Sequence, residues 1–218
     1  MKSRLFYEGG YGPVQEKVRA LLNQSSGLLS KATAQSPRAA GDAIQSVIAA
    51  SFEEILGAHC GEYSGEFARR AMADVAFKDR EGLYYVVDVK THRADTKFNM
   101  PNLTSVERLA RFYEDDTNYF TLLLVSYAVA GVSIDVSEVR FLPIEFLSWD
   151  CLTIGALGWG QIQIANSNRI SVNPGYSRKR WMLELCDVLL EFYPKEIAKI
   201  GERISRFEEV RARWAGKR

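Results

Sequence analysis

The segment between residues 73 and 90 constrains the fold most strongly. Two apolar, strand-like runs, Ala73–Phe77 and Leu83–Val87, flank the polar stretch Lys78–Gly82. β-Branched and aromatic residues favour strands, and a glycine at the end of a polar stretch relaxes the geometry of a turn. The pattern predicts an antiparallel hairpin over residues 71–90, and therefore a fold that contains a β-sheet.

Two acidic residues and a lysine belong to this hairpin. Asp88-Val89-Lys90 closes the second strand, and Asp74 lies in the first. Because residues two apart in a strand face the same side, Asp88 and Lys90 point together, and folding back at the turn brings Asp74 beside them. Two carboxylates at such a short distance repel each other unless a cation bridges them. Hard oxygen ligands next to a lysine suit Mg²⁺ and phosphate chemistry.

Acid-x-Lys triplets also arise by chance, and the chain has a second one, Asp95-Thr96-Lys97. No apolar strand precedes it, so we interpret it as part of a solvated loop. The spacing alone leaves two interpretations of Asp88-Val89-Lys90 open, a catalytic centre and a chance triplet.

The order of several short blocks resembles the PD-(D/E)xK nucleases, and among them the EcoRV and HincII group of type II restriction endonucleases. The similar blocks bracket about two-thirds of the chain, residues 39–195, and are Ala39-Ala40-Gly41, Ala73-Asp74-Val75, Val87 to Thr91, Pro101-Asn102, and Gln161 to Ile164 followed by a Trp181-containing helix. Ala73 departs from the proline of the family name. A helix glutamate common in the superfamily is matched here by Gln45, with Glu53 and Glu54 two to three turns later.

This resemblance implies a type II site-specific deoxyribonuclease that uses Mg²⁺ to cleave double-stranded DNA and leaves 5′-phosphate and 3′-hydroxyl ends. Asp74, Asp88 and the Val89 carbonyl would bind the metal, and Lys90 would hold and polarise the attacking water. The accessory candidates are Gln45, Glu53, Glu54 and His92. A double-strand cut in a palindromic site is most simply made by two active sites related by a two-fold axis, so we expect a homodimer.

Polar side chains downstream of the motif are candidates for DNA contact. Gln161 and Gln163 alternate with Ile162 and Ile164, which predicts a strand with both amides on one face. Amide side chains can pair with adenine in the major groove, although the same alternation fits an edge strand with a solvated outer face. The resemblance also brings the loop 91–102 near DNA. The candidates for DNA contact are therefore Asn99, Asn102, Gln161, Gln163, Asn166 and Asn168.

Two other functions stay open. One is a structure-specific repair nuclease or junction resolvase of the same superfamily. The other is a DNA-binding module with a vestigial nuclease centre, which the missing helix glutamate allows. Covalent nucleophilic catalysis is a poor rival, because neither His59 nor His92 has a matched serine or cysteine partner.

Composition sets further bounds. The 218 residues, 47% of them hydrophobic, suit one domain with a sizeable core. The resemblance implies that this domain, residues 1–218, has an α/β nuclease fold, with a mixed central β-sheet flanked by helices as in restriction endonucleases. Within it we distinguish an N-terminal segment 1–38, a core 39–195 and a C-terminal helix 196–218. A formal net charge of +1 requires any DNA-binding cleft to be a local feature. The three cysteines form no CxxC pair, which argues against a zinc site.

The apolar pattern predicts no membrane association. The N-terminus lacks the apolar core of a signal peptide, and the longest apolar run, Phe120–Val132, is too short to span a bilayer. We therefore expect a cytoplasmic protein.

Local signals also predict individual elements. We expect an irregular stretch over 1–12, a loop over 24–38 and a capping box at Thr104 that opens a helix to Asp115. The predicted helices and strands are a helix 13–23, considered for dimerisation together with the N-terminal segment, an amphipathic helix 40–58, a buried strand 121–129, a strand 134–142, and a C-terminal helical region interrupted near Pro194.

Overall fold

The computed structural model describes residues 2–64 and 73–217. Residues 71 and 72, the first two of the predicted hairpin, lie outside the described residues. The described chain divides into two compact units, one up to Gly175 and one from Tyr176 onward. The first unit contains a five-stranded mixed sheet with helices packed on it, which confirms the α/β class predicted from the sequence.

The strands of the described residues are β1 Glu62–Ser64, β2 Val75–Lys78, β3 Tyr84–Arg93, β4 Asn102–Ser105, β5 Asn118–Ala130, β6 Ser133–Pro143, β7 Leu152–Gly155 and β8 Gln161–Ile164. They form a five-stranded sheet of order β1-β2-β3-β5-β6 and a smaller sheet of order β4-β8-β7. The β3–β5 pair is parallel, and the other described neighbours are antiparallel.

Most of the described helices begin after a serine whose side-chain oxygen accepts from a backbone N–H of the first turn; the helix Tyr11–Gln24 begins after Gly10 without such a bond. Ser36 Oγ accepts from the Ala39 N–H, and Pro37 fits the first helical position. The helices are α1 Arg4–Tyr7, α2 Tyr11–Gln24, α3 Lys31–Gln35, α4 Pro37–Leu56, α5 Val106–Phe112 and α6 Arg178–Ala215, with 3₁₀ turns at Gly57–His59, Ile144–Phe146 and Trp149–Cys151.

Helix α4 covers one face of the five-stranded sheet. Its Phe52 side chain contacts Phe77 and Phe141 edge-on, and Phe77 stacks on Tyr85 with ring centroids 4.5 Å apart. Tyr85 and the other odd-numbered residues of β3 therefore face α4. The even-numbered residues, which include Asp88 and Lys90, face the opposite side of the sheet.

Helix α2 is part of the core of the first unit. Its apolar residues Val14, Val18 and Leu22 are buried. Gln15 Oε1 accepts from the Phe141 N–H at 2.8 Å, and Asn23 Oδ1 accepts from the Val136 N–H at 2.7 Å, so α2 is bonded to β6. The apolar side of this helix, which we considered for dimerisation, already packs within its own chain.

Several local expectations were wrong. Residues 1–12 contain α1, the predicted loop 24–38 contains α3, and the cap of α5 is Ser105 rather than Thr104. Thr104 instead belongs to β4, where its side chain is buried.

The C-terminal helix runs through Pro194 without a break, so the predicted interruption was also wrong. One proline removes one backbone hydrogen bond, and the rest of this long helix continues around it. Among the helices of 2–64 and 73–217, none combines the length and the apolar character that a membrane crossing requires.

Candidate active site

The predicted hairpin is present. Strands β2 and β3 are antiparallel, with Val75 opposite Val87. Asp79 Oδ1 closes the turn by accepting from the Glu81 and Leu83 N–H groups at 2.9 Å, and Gly82 has a φ of +85° that favours glycine. The ladder continues one step beyond Val75, because the Asp74 N–H donates to the Val87 carbonyl at 2.9 Å. Asp74 is thereby brought next to Asp88.

The Asp88 carboxylate is buried and only half satisfied. Its side chain faces the sheet side opposite α4, and the residue is 5% exposed. Oδ1 accepts from the Lys90 ammonium at 2.8 Å, whereas Oδ2 is buried and has no hydrogen-bond partner in the described part of the chain. Burial raises the pKa of the Asp88 carboxyl to about 7; Lys90 opposes this rise and Asp74 adds to it. The environment favours a proton or a metal ion on Asp88.

Asp74 directly precedes β2. Its Oδ2 accepts from the Val89 N–H at 2.7 Å, so the carboxylate lies against the edge of β3 just beyond its pairing with β2. The N–H and C=O of one strand residue point to the same side of the strand. The Val89 carbonyl therefore lies on this edge as well, beside the two acids.

These residues fit a magnesium ion. Asp88 Oδ2 is a buried acceptor without a partner among the described residues, Asp74 Oδ1 is not used in the bond to Val89, and the Val89 carbonyl is on the same edge. Mg²⁺ typically binds proteins through one or two carboxylates and keeps several waters. No cluster of three or more His, Cys, Asp or Glu side chains suited to a metal occurs within residues 2–64 and 73–217. The donor set therefore matches a hydrated Mg²⁺ better than a metal held by protein ligands alone.

Helix α4 does not bring a third acid to this centre. Gly41 faces Thr91, where a Cβ would come within 2.6 Å of the Thr91 Oγ1, and Gln45 follows one turn later. Gln45 has no hydrogen bond to Asp74 or Asp88 among the described residues. Glu53 lies twelve residues from Gly41, about 18 Å along the helix axis.

The two glutamates belong to the far end of α4. Both Glu53 and Glu54 are exposed. Burial and then the charge of Glu53 raise the pKa values of Cys60 and Tyr63, which shows that Glu53 lies beside those residues. Neither glutamate is brought to Asp88.

His92 continues the Asp88–Lys90 face along β3 and is held by Asn168. His92 Nε2 lies 2.9 Å from Asn168 Oδ1. The Asn168 amide nitrogen donates to the carbonyls of Thr96 and Lys97 at 3.3 and 3.2 Å. The Asn168 side chain thus joins the end of β3, the loop after it and the loop after β8.

Hydrogen bonds also fix residues 166–168, in the loop after β8. Asn166 Oδ1 accepts from the Asn168 N–H at 3.0 Å. The Asn99 carbonyl accepts from the Ser167 N–H at 2.9 Å. Asn166 and Asn168 therefore shape this loop, and Asn99 anchors it through its backbone.

The remaining predicted DNA-contact residues, Asn102, Gln161 and Gln163, lie on one face of the small sheet. Along β8, Gln161 and Gln163 are partly exposed while Ile162 and Ile164 are buried, so the predicted alternation is confirmed. Gln163 lies opposite Asn102 of β4 and donates its amide N–H to Asn102 Oδ1. The structure thus pairs two of the predicted DNA-contact residues.

Arg140 is a residue that the sequence reasoning missed. Strand register aligns Lys90 with Leu124 and Leu124 with Arg140 across three neighbouring strands. The Arg140 backbone is therefore about 10 Å from that of Lys90. Arg140 pairs with Glu138 at 2.8 Å and lines, together with His92 and Asn168, a groove of about 220 Å³. The sequence carries no signal for this, because only the pairing of β5 with β6 puts Arg140 beside the motif.

Comparison of the chain with models of known protein families gives no match, and comparison with curated proteins gives none either. The resemblance to PD-(D/E)xK nucleases therefore rests on the motif, the order of the blocks and the geometry of the hairpin.

Proposed function

We propose that this protein is a Mg²⁺-dependent endonuclease that cleaves double-stranded DNA at a specific sequence, as type II restriction endonucleases do. One observation carries the proposal: Asp74, Asp88 and Lys90 meet at one edge of β3, and Asp88 Oδ2 is buried there without a hydrogen-bond partner among the described residues. A buried acceptor without a partner is costly. A divalent cation would remove that cost and would also offset the repulsion between the two carboxylates.

The chain's own groups supply complementary chemistry. When bound by Asp74, Asp88 and the Val89 carbonyl, Mg²⁺ supplies Lewis-acid stabilisation of phosphate charge. Lys90 carries its ammonium on the same face as Asp88, at 2.8 Å from Oδ1. A positive charge at this position orients a water by hydrogen bonding and stabilises the negative charge that develops on the phosphate oxygens. The resemblance implies that the 3′ oxygen leaves, giving 5′-phosphate and 3′-hydroxyl ends.

The β4-β8-β7 sheet supports sequence recognition. A narrow β-ribbon fits the major groove of DNA, where amide side chains can form paired hydrogen bonds with adenine. Gln161 and the Gln163–Asn102 pair are on one face of this sheet. We assign them to base contact, and we assign Asn166 and Asn168 to support of the neighbouring loop.

One observation favours a second candidate, a DNA-binding module with a vestigial nuclease centre. Within the part of the chain that is described, no third acidic side chain joins Asp74 and Asp88, and Gln45 matches the helix glutamate of the superfamily. A weak metal site of this kind would leave DNA binding intact without cleavage.

Cleavage assays separate these functions. The full chain is incubated with mixed plasmid DNA and, separately, with four-way junctions, each with Mg²⁺ or with EDTA. We expect discrete plasmid fragments in Mg²⁺ and none in EDTA, and sequencing of their ends should give one recurring site. Cleavage confined to junctions would replace the proposal with a resolvase, and DNA binding without any cleavage would replace it with the vestigial module.

A further inference from the structure

An apolar seam runs along helix α6. The exposed residues that form this seam are Leu183, Leu190, Tyr193, Ile197, Ile200, Ile204, Phe207 and Trp214. They follow one another at steps of three, four or seven residues over more than four heptads. Cys186 and Arg211 occupy the two positions that the seven-residue steps pass over. Such a strict 3.5-residue period is typical of a coiled coil, because the stripe stays on one side of supercoiled helices.

The seam is open to solvent. Its side chains are between 38% and 73% exposed, and the helix that carries them has 38 residues, about 57 Å in length. A helix with an apolar stripe ordinarily buries that stripe against another element. An exposed apolar surface of this extent marks an interaction site.

We infer that the seam binds the same seam of a second copy of this chain in a parallel two-stranded coiled coil. Eight side chains on each copy, with on the order of 100 Å² exposed per side chain, would bury about 1,600 Å², the size of a standard stable interface. The heptad positions also fit, because Ile197 and Ile204 fall at position a, where β-branched residues favour two-stranded parallel pairs.

The charges beside the seam favour the parallel orientation. Arg203 and Glu208 flank it at positions g and e, five residues apart, and in a parallel pair each Arg203 meets Glu208 of the other copy. Neither has an ion pair in the described chain, whereas Glu196 and Lys199 pair within the helix at 2.7 Å. An antiparallel pair would instead bring Asp187 against Glu208.

Arg211 is the one charged residue at an inner position. It lies in the last heptad, where its long side chain can reach solvent past the neighbouring helix. A single polar residue at position a lowers stability while it fixes the register of a coiled coil. This assembly does not depend on nuclease activity, so it can be tested independently of the proposed function.

Sedimentation of the full chain tests the choice of partner. We expect the native chain to be a dimer at micromolar concentration. Ile197→Asp with Ile204→Asp should weaken dimerisation by at least about 100-fold, because it would bury charges at the seam. The matched control, Ala198→Asp with Ser205→Asp, changes exposed residues beside the seam and should leave the dimer intact.

All four positions are exposed, so circular dichroism should show native folding in both variants. A native chain that sediments as a monomer throughout the micromolar range would overturn the inference. A dimer that survives the Ile197→Asp, Ile204→Asp change would also overturn it.

Thiol oxidation tests the orientation. Cys186 is exposed at an inner position of the seam, while Cys151 is buried. In a parallel pair Cys186 faces its counterpart, so mild oxidation should yield a disulfide-linked dimer that Cys186→Ser abolishes. In that variant, Leu190→Cys should restore the cross-link and Ser205→Cys should not. A dimer that fails to cross-link at both Cys186 and Leu190→Cys would overturn the parallel arrangement.

Discussion

Asp88 is held where its protonated form is favoured in the absence of a metal ion. Burial outweighs the attraction of Lys90, and Asp74 adds a second negative charge. The same arrangement is suited to a divalent cation, which would replace the proton. A carboxyl group that is costly to ionise without a bound cation is therefore suited to be a metal ligand.

This environment predicts a pH-dependent gain in stability for Asp88→Asn. The folded chain holds the Asp88 proton up to pH about 7, whereas the unfolded chain releases it near pH 4. As pH rises between these values, the native chain loses the stability that its neutral carboxyl confers, and the variant does not. Urea unfolding in EDTA measures the free energy of unfolding of the Asp88→Asn variant and of the native chain. The difference between them should grow in favour of the variant from about pH 5 to pH 8, by on the order of 1–4 kcal/mol. A difference that stays constant with pH would contradict this environment for Asp88.

The chain contains its own control for the proposed catalytic triplet, Asp88-Val89-Lys90. Asp88→Ala or Lys90→Ala should lower cleavage by at least about 100-fold, because each removes a group that stabilises developing charge. Asp95→Ala alters the second acid-x-Lys triplet, where Asp95 is exposed and pairs with Arg93. The initial rate of plasmid cleavage should not fall in this variant. Full turnover by Asp88→Ala would remove the assignment of this centre.

At the scale of elements, the base contact proposed for Gln163 on β8 can be distinguished from the loop support proposed for Asn168. Gln163 lies on the outer face of the small sheet and pairs with Asn102. Gln163→Ala should weaken binding to the cleaved sequence by about 1–3 kcal/mol and binding to random DNA little, if the amide contacts a base. Fluorescence anisotropy with both DNAs in Ca²⁺ measures the difference. Equal losses on the two DNAs would indicate a backbone contact instead.

Asn168 should behave differently from Gln163. Its amide joins His92 to the carbonyls of Thr96 and Lys97. Asn168→Ala leaves these groups without their partner and should lower the free energy of unfolding by about 1–3 kcal/mol. Urea unfolding measures this loss. An Asn168→Ala chain of native stability that has lost only sequence preference would show that Asn168 contacts a base.

At the scale of the whole molecule, the inferred coiled coil and the proposed nuclease make a joint prediction. Helix α2 packs within its own chain, so we assign dimerisation to α6. If two copies act on one site, the Ile197→Asp, Ile204→Asp variant should cut one strand of the duplex at a time and accumulate nicked circular plasmid. It should give fewer linear molecules than the Ala198→Asp, Ser205→Asp control. Time courses on supercoiled plasmid resolve the two products. Equal yields of linear DNA would show that double-strand cleavage does not require the seam.

The local pattern of the sequence determined the hairpin, the shared face of Asp88 and Lys90, and the alternation along β8. These features depend on residues close together in the chain, where a period of two or a glycine turn is directly visible. The heptad steps of α6 are equally local, but only the exposure of each side chain distinguishes the seam from Trp181 and Leu185, which are buried.

Tertiary structure alone decided which distant groups meet. Strand pairing and burial decide three features: the sheet face that α4 covers, the alignment of Arg140 with Lys90, and the lack of a described hydrogen-bond partner for Asp88 Oδ2. Short elements such as α1 and α3 also escaped prediction, because helices of this length are marginal on their own and form when the surrounding chain packs against them. Periodicity assigns a side chain to a face, whereas the energy of burying that face against a distant segment decides what the side chain touches.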